Sequence, residues 1–252
     1  MAEDDDTQQN PFTRPGFIIG AVVVVALIVA GIVLTVLNLN RDDDDAAPPA
    51  PGPSSSATSS AAPSPEPSGV AGGASVCGLE GVELSGTVTT APAAEWQFQD
   101  VYAFPTSPAA GPGETAPEGY PYCFQHSPEG ALFAAANVTI IGFGPAEQRQ
   151  AFLEYALTDG PYRDTLLSAQ GAAAPSDVRA SIAGFRMLAY DGESARVDIA
   201  FRGSSNGQSV NGSAVLELVW ADGDWKLDAS NPEPARLAEL PDLSGYVSWT
   251  EG

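Results

Sequence analysis

Two cysteines and one histidine are the side chains of this chain best suited to redox, metal or nucleophilic chemistry, and their spacing narrows what they can do. Cys77 and Cys123 lie far outside the Cys-x-x-Cys spacing of a redox pair. With His126 they make a thin ligand set for zinc, which takes four donors in a structural site. In an oxidising compartment the two thiols pair as a structural disulfide. The chain-entropy model values the closed loop at about 4 kcal/mol. His126 would be needed for a Ser/His/Asp arrangement, and no such arrangement is assigned. Its place just before Ser127 suits a contact at the start of a helix instead. An acid such as Asp198 or Glu217 would serve acid–base work only in a pocket that shifts its titration, and nothing in the spacing demands one. No catalytic, metal or cofactor-binding residue is assigned, and a non-enzymatic protein is expected.

The elements that position these residues begin with an uncharged stretch. Residues 17–37 run for twenty-one positions without a charge. At about 1.5 Å per residue a helix of that length crosses the hydrocarbon of a bilayer. The run exceeds the h-region of a signal peptide and no small-x-small cleavage site follows it, so a retained single-pass transmembrane helix is expected. Arg14 and Arg41 flank its two ends and leave the positive-inside comparison nearly tied. The Pro/Ser/Ala spacer and the two-cysteine domain that follow favour a cytoplasmic N-terminus and an extracellular C-terminal domain. A cytoplasmic domain tethered to the membrane, with both thiols reduced, is the alternative.

The expected organisation is therefore a cytoplasmic tail at 1–16, the membrane helix at 17–37, a disordered linker at 38–75 and a folded domain at 76–252. The linker is almost wholly Asp, Ala, Pro, Ser and Gly, without an aromatic, and cannot bury enough apolar area to offset the entropy of ordering. Its ends would lie roughly 30 Å apart as a coil and about 100 Å apart if drawn out. The formal net charge is −22, which repels phosphate backbones and makes nucleic acid an improbable partner. The runs Asp4-Asp5-Asp6 and Asp42-Asp43-Asp44-Asp45 read as solvated faces.

Within the domain, Trp96, Phe98, Tyr102 and Phe104 share one parity and predict a single half-buried strand over 96–104. Ser127 is a plausible N-cap, with Pro128 at the first helical position and Glu129 at the positive end of the dipole. A buried helix is predicted to run to residue 141 and stop at Gly142 and Gly144. Pro145 opens a second helix with Phe152, Leu153, Ala156 and Leu157 on one face, and a short third follows over 161–169. The period then becomes two. Strands are predicted at 184–190, 195–201, 210–220 and 225–229, with turns at Asp191-Gly192 and Asp222-Gly223. Helices followed by a meander give an α+β class, helices packed on a curved antiparallel sheet.

That order, ending in Asp222-Gly223-Asp224-Trp225-Lys226-Leu227, resembles the cone-shaped fold of the nuclear-transport-factor-2-like proteins. A narrower resemblance covers residues 77–250. It is carried by Cys77-Gly78-Leu79, Tyr122-Cys123-Phe124, Ser127-Pro128-Glu129-Gly130-Ala131-Leu132, Ala135-Ala136-Asn137, Gly160-Pro161-Tyr162-Arg163-Asp164 and Leu243-Ser244-Gly245-Tyr246-Val247-Ser248-Trp249. Together these look like a family of uncharacterised actinobacterial membrane-anchored proteins linked to conjugative or integrative elements. Their exported domain is similar to type IV secretion assembly factors. The resemblance implies a scaffold or accessory role through protein–protein contacts, with envelope proteins as partners and no catalytic residues.

Two segments are candidates for such contacts. Tyr162 and Arg163 sit in a predicted interhelical loop, where local ion pairs of Arg163 and Asp164 are the plainer reading. Tyr246 and Trp249 lie in a proline-preceded tail, and either dock back onto the domain or anchor a partner. An alternative function is binding of a small apolar ligand among Phe133, Phe143, Phe152, Phe185 and Phe201, which would require a cavity of several hundred cubic ångströms. Otherwise these rings fill the space themselves.

Overall fold

The computed structural model describes residues 73–99, 102–169, 179–205 and 208–251. The described residues all belong to one compact unit. The expected tail 1–16, membrane helix 17–37 and all but the last three residues of the expected linker lie outside them. Among the described residues no helix is long and apolar enough to cross a membrane.

The domain is α+β, with a mostly antiparallel sheet. Its central helix, α1 (Pro128–Ile141), starts as the sequence predicts: the Ser127 side chain accepts from the Gly130 N–H at 3.0 Å, and Pro128 occupies the first turn. Nearly every residue of α1 is buried, because it lies across the inner face of the sheet. Helix α2 (Ala146–Ala156) follows Pro145 and buries Phe152 and Ala156. Helix α3 (Arg163–Ser168) is a short turn with no buried residue and begins two positions later than expected.

Six strands form the main sheet. Strands β5 (Arg179–Tyr190), β6 (Ser194–Ser205) and β7 (Gln208–Ala221) are the long ones, and β8 (Asp224–Leu227) completes the meander. All four are longer or start earlier than the alternation suggests, except at the end of β8. The turns come where Asp-Gly predicts them. Asp222 and Gly223 have φ of 53° and 79°, both left-handed, and link β7 to β8 directly. At the other turn, Asp191 Oδ1 accepts from the N–H groups of Glu193 and Ser194. Ala195, Val197 and Ile199 of β6 and Ala214, Leu216 and Leu218 of β7 point inward onto α1. Burying each of the larger of these side chains contributes about 1.5–3 kcal/mol.

Two strands carried no signal in the sequence. Strand β9 (Ala235–Leu240) pairs with β7 over Asn211–Leu216, while β8 covers only Leu218–Ala221. The long β7 leaves unpaired backbone beyond the reach of β8, and β9 satisfies it. Strand β10 (Val247–Ser248) pairs with Gly184 and Phe185 on the opposite edge. A Cβ at Gly184 would meet the Val247 carbonyl at 2.6 Å, so the tail can dock only because that position is glycine.

The expected strand over 96–104 is instead a hairpin of β1 (Glu95–Gln99) and β2 (Tyr102–Thr106), with Gln99 opposite Tyr102. Reversal after two residues splits the aromatic set. Trp96 and Phe98 oppose Pro105 and Ala103 on one face, while Tyr102 and Phe104 oppose Gln99 and Gln97 on the other. Phe98 is left 67% exposed. A two-stranded piece, β3 (Glu114–Thr115) with β4 (Pro121–Tyr122), folds the Pro/Gly loop back towards α1.

Candidate functional site

Cys77 and Cys123 are joined as a disulfide, as the sequence suggests. The Cys123 backbone has a left-handed φ of 68°, and what holds it there is remote in sequence. The turn at Asp222-Gly223 delivers Asp224 to this segment. Its Oδ2 accepts from the Cys123 N–H at 2.7 Å and its Oδ1 from the Phe124 N–H at 2.8 Å. Its own neighbour Trp225 donates to Oδ1 at 2.9 Å, and the Tyr155 hydroxyl of α2 donates to Oδ2 at 2.7 Å. Burial pushes the Asp224 carboxyl above its ordinary value, and the four donors only partly offset that. Burial and the adjacent Asp224 charge push the Tyr155 hydroxyl up in turn. Lys226 stands 4.8 Å from the Tyr155 ring centroid and donates to Asp222 at 3.0 Å. Both Asp224 oxygens are engaged with the protein, so this carboxylate is a clamp on the bridged segment and not a free general acid.

The second buried acid is Asp198, on the outer face of β6. Register places it opposite Arg186 of β5, and the two form an ion pair in which Asp198 is 1% and Arg186 44% exposed. Arg186 Nε donates to Asp198 Oδ2 at 3.2 Å, and the Tyr246 hydroxyl donates to the same oxygen at 2.8 Å. The guanidinium also lies 4.3 Å from the Tyr246 ring centroid. Asp198 Oδ1 is buried without a partner among the described residues. Glu217, the other acid considered for catalysis, is shared between Arg196 at 3.3 Å and Arg236 at 3.0 Å. Both carboxylates are held by arginines on the side of the sheet away from α1.

The four residues proposed as contacts separate. Trp249 is 3% exposed and belongs to the core. Its ring lies 5.1 Å from Phe133 and 5.7 Å from both Phe185 and Trp96, and its Nε1 donates to the Pro92 carbonyl at 3.2 Å. Of the two readings of the tail, docking back describes Trp249. Tyr246 is half-buried over the outer face. Arg163 forms no ion pair with Asp164 among the described residues. It donates instead to the carbonyls of Glu154 at 2.6 Å, Thr158 at 3.3 Å and Leu157, capping the end of α2. Tyr162 is half-buried and its N–H donates to the Ala229 carbonyl at 3.1 Å.

His126 is buried, stacked at 3.9 Å on Trp220, with its Nε2 against the Gly192 carbonyl and no partner for Nδ1 among the described residues. The helix start does lie beside it, but its contacts are with the β5–β6 turn and β7, which nothing in the local sequence signals. The phenylalanines considered as a ligand site pack on one another and on their neighbours. Phe133 and Phe185 are fully buried, Phe143 meets Phe201 at 5.1 Å, and Phe152 meets Tyr120 at 5.7 Å. A hollow between β2, α1 and α2, lined by Tyr102, Phe104, Asn137, Ile140 and Gln148, encloses about 10 Å³, room for no more than a water molecule. No group of three or more potential metal ligands occurs among the described residues.

In comparison with known proteins, a family model described as a domain of unknown function, DUF8175, matches residues 56–248. No curated protein and no solved structure matches the chain.

Proposed function

Taking as premise that this chain belongs to the DUF8175 family, we propose that it is a single-pass membrane-anchored scaffold or accessory protein of an envelope apparatus. The domain stands outside the cytoplasm and acts by protein–protein contacts. Residues 17–37 anchor it in the bilayer, the N-terminus is cytoplasmic and the linker sets the domain away from the lipid. The observation that carries this reading is the bridged pair Cys77–Cys123 downstream of an uncharged twenty-one-residue run. Disulfides persist in oxidising compartments, and a run of that length suits a bilayer.

We take the apparatus to be a conjugative transfer machine. What supports this is the similarity of the motifs from Cys77 to Trp249 to actinobacterial proteins linked to mobile elements. The cone-like reading of the domain is supported by helices preceding an antiparallel meander whose last hairpin turns at Asp222-Gly223.

Two measurements test the proposal. Impermeant thiol labelling of intact cells should modify the exposed Cys77 only after reduction; labelling without reduction, or only after lysis, rejects the exported domain. Mild crosslinking followed by purification of the full chain should recover envelope proteins; recovery of none rejects the scaffold role.

A further inference from the structure

We propose that Cys77 is the sulfur at which external thiols and disulfides exchange with the bridge, and that Cys123 is the sulfur that closes it. The order of attack follows from the fold alone; its use in cells rests on the exported-domain reading.

The two cysteines stand in opposite surroundings. Cys123 is fully buried and both its backbone groups are held. Its N–H donates to Asp224 Oδ2 at 2.7 Å, and its carbonyl accepts from the Gly113 N–H at 2.8 Å. Cys77 is exposed, on the arm that precedes β1, and from 76 to 87 every residue but Leu79 is exposed. The tethers of that arm include the Val76 N–H on the Gly223 carbonyl at 2.8 Å and the Glu83 N–H on the His126 carbonyl at 2.8 Å. Gln125 Nε2 adds a bond to the Glu80 carbonyl at 2.6 Å.

A thiolate must reach the sulfur that it attacks. Cys123 is closed to solvent, so an external thiolate attacks Cys77 Sγ. A bond forms between the attacking sulfur and Cys77, the Cys77–Cys123 bond breaks, and its electron pair leaves on Cys123 as a thiolate. The Cys77 N–H already donates to Cys123 Sγ at 3.1 Å and steadies that charge as it forms.

Closing runs along the same path. In the reduced chain the Cys77 thiolate attacks an external disulfide and releases one thiolate from it. Cys123, positioned by Asp224 and Gly113, then attacks Cys77 Sγ and expels the second. Two cysteine thiols become one disulfide, the external disulfide becomes two thiols, and the two cysteine protons pass to the departing thiolates. A low-molecular-weight thiol and a thiol–disulfide oxidoreductase share this chemistry, and both need a sulfur on an accessible segment.

The test uses the full chain purified in non-ionic detergent. Reduced glutathione is added to the bridged parent, the reaction is quenched with acid, and peptides are weighed by mass spectrometry. Glutathione should be found on Cys77 about tenfold more often than on Cys123. Oxidised glutathione should modify the remaining thiol of Cys123→Ser about tenfold faster than that of Cys77→Ser, with the fold of each variant checked by its urea transition. The first measurement needs no variant and therefore holds even if one unfolds. Glutathione mainly on Cys123, or equal rates in the two folded variants, would overturn the proposal.

A further arm recovers Cys123→Ser from cells with its thiols trapped. A mixed disulfide to a protein identifies an oxidoreductase as the partner, and a small added mass identifies a low-molecular-weight thiol. If purified chain exchanges at Cys77 while chain from cells carries only a free thiol, the exported-domain reading falls and the order of exchange stands. If chain from cells carries an adduct while glutathione goes to Cys123, the domain is exported and the order of exchange falls.

Discussion

The carboxylate of Asp224 accepts the backbone N–H of Cys123 at 2.7 Å across 101 positions of sequence. This contact ties the last hairpin of the meander to the disulfide-bearing segment just ahead of α1. The bridge and the hairpin thus brace the same turn of chain from two sides.

Asp224→Asn should cost about 2–3 kcal/mol, because an amide offers one acceptor oxygen where the carboxylate satisfies four donors with two. The same variant has a pH signature. Burial raises the Asp224 carboxyl above its ordinary value. Between that value and the raised one the native chain holds a proton that the unfolded chain has released, so this group's contribution falls as pH rises through the window. The difference in stability between parent and variant, measured by urea denaturation between about pH 4 and 7, should shrink as pH increases. A difference independent of pH would show that Asp224 stays ionised in the fold throughout.

Cys123→Ser should lower stability by about 4 kcal/mol or somewhat less, the chain-entropy value for a separation of 46 residues. Reduction of the parent should produce a similar drop in the urea midpoint. An unchanged midpoint after complete reduction, verified by thiol titration, would mean that the Asp224 clamp holds the segment without the bridge.

Trp249→Ala should cost about 3–5 kcal/mol, the usual range for truncating a large buried aromatic. Its ring is enclosed by Trp96, Phe133 and Phe185. Thermal unfolding of the two proteins decides the matter: equal melting temperatures would take the tail out of the core.

Gly130→Ala runs against helix propensity. In most helix interiors the change gains up to about 1 kcal/mol. Here the new Cβ would lie 1.9 Å from the Gln125 carbonyl oxygen, a backbone atom that cannot swing aside. A loss of about 3 kcal/mol is expected. Calorimetry that finds the alanine variant equally stable or more so would show that the loop before α1 can yield.

What could be read from the sequence were the features whose causes are local. Ser127, Pro128 and Glu129 start α1 because a cap, a proline and an acid act within one turn. Asp191-Gly192 and Asp222-Gly223 turn the meander because those pairs tolerate left-handed backbone, and β6 and β7 alternate because one face must be apolar. The pairing of Cys77 with Cys123 followed from there being only two cysteines and a domain read as exported.

The tertiary structure decided what depends on neighbours remote in the chain. The even-numbered aromatics of β1 and β2 lie on opposite faces because a reversal falls between Gln99 and Tyr102. Asp198 stands at a solvent-facing position of the alternation yet is buried, because Arg186 and Tyr246 close over it from two other strands or their ends. Strand β9 exists because β7 outruns β8, and Trp249 is core because Gly184 lets the tail approach. Except for that reversal, the interaction that selects the conformation joins residues on separate strands or segments, and no local propensity encodes it.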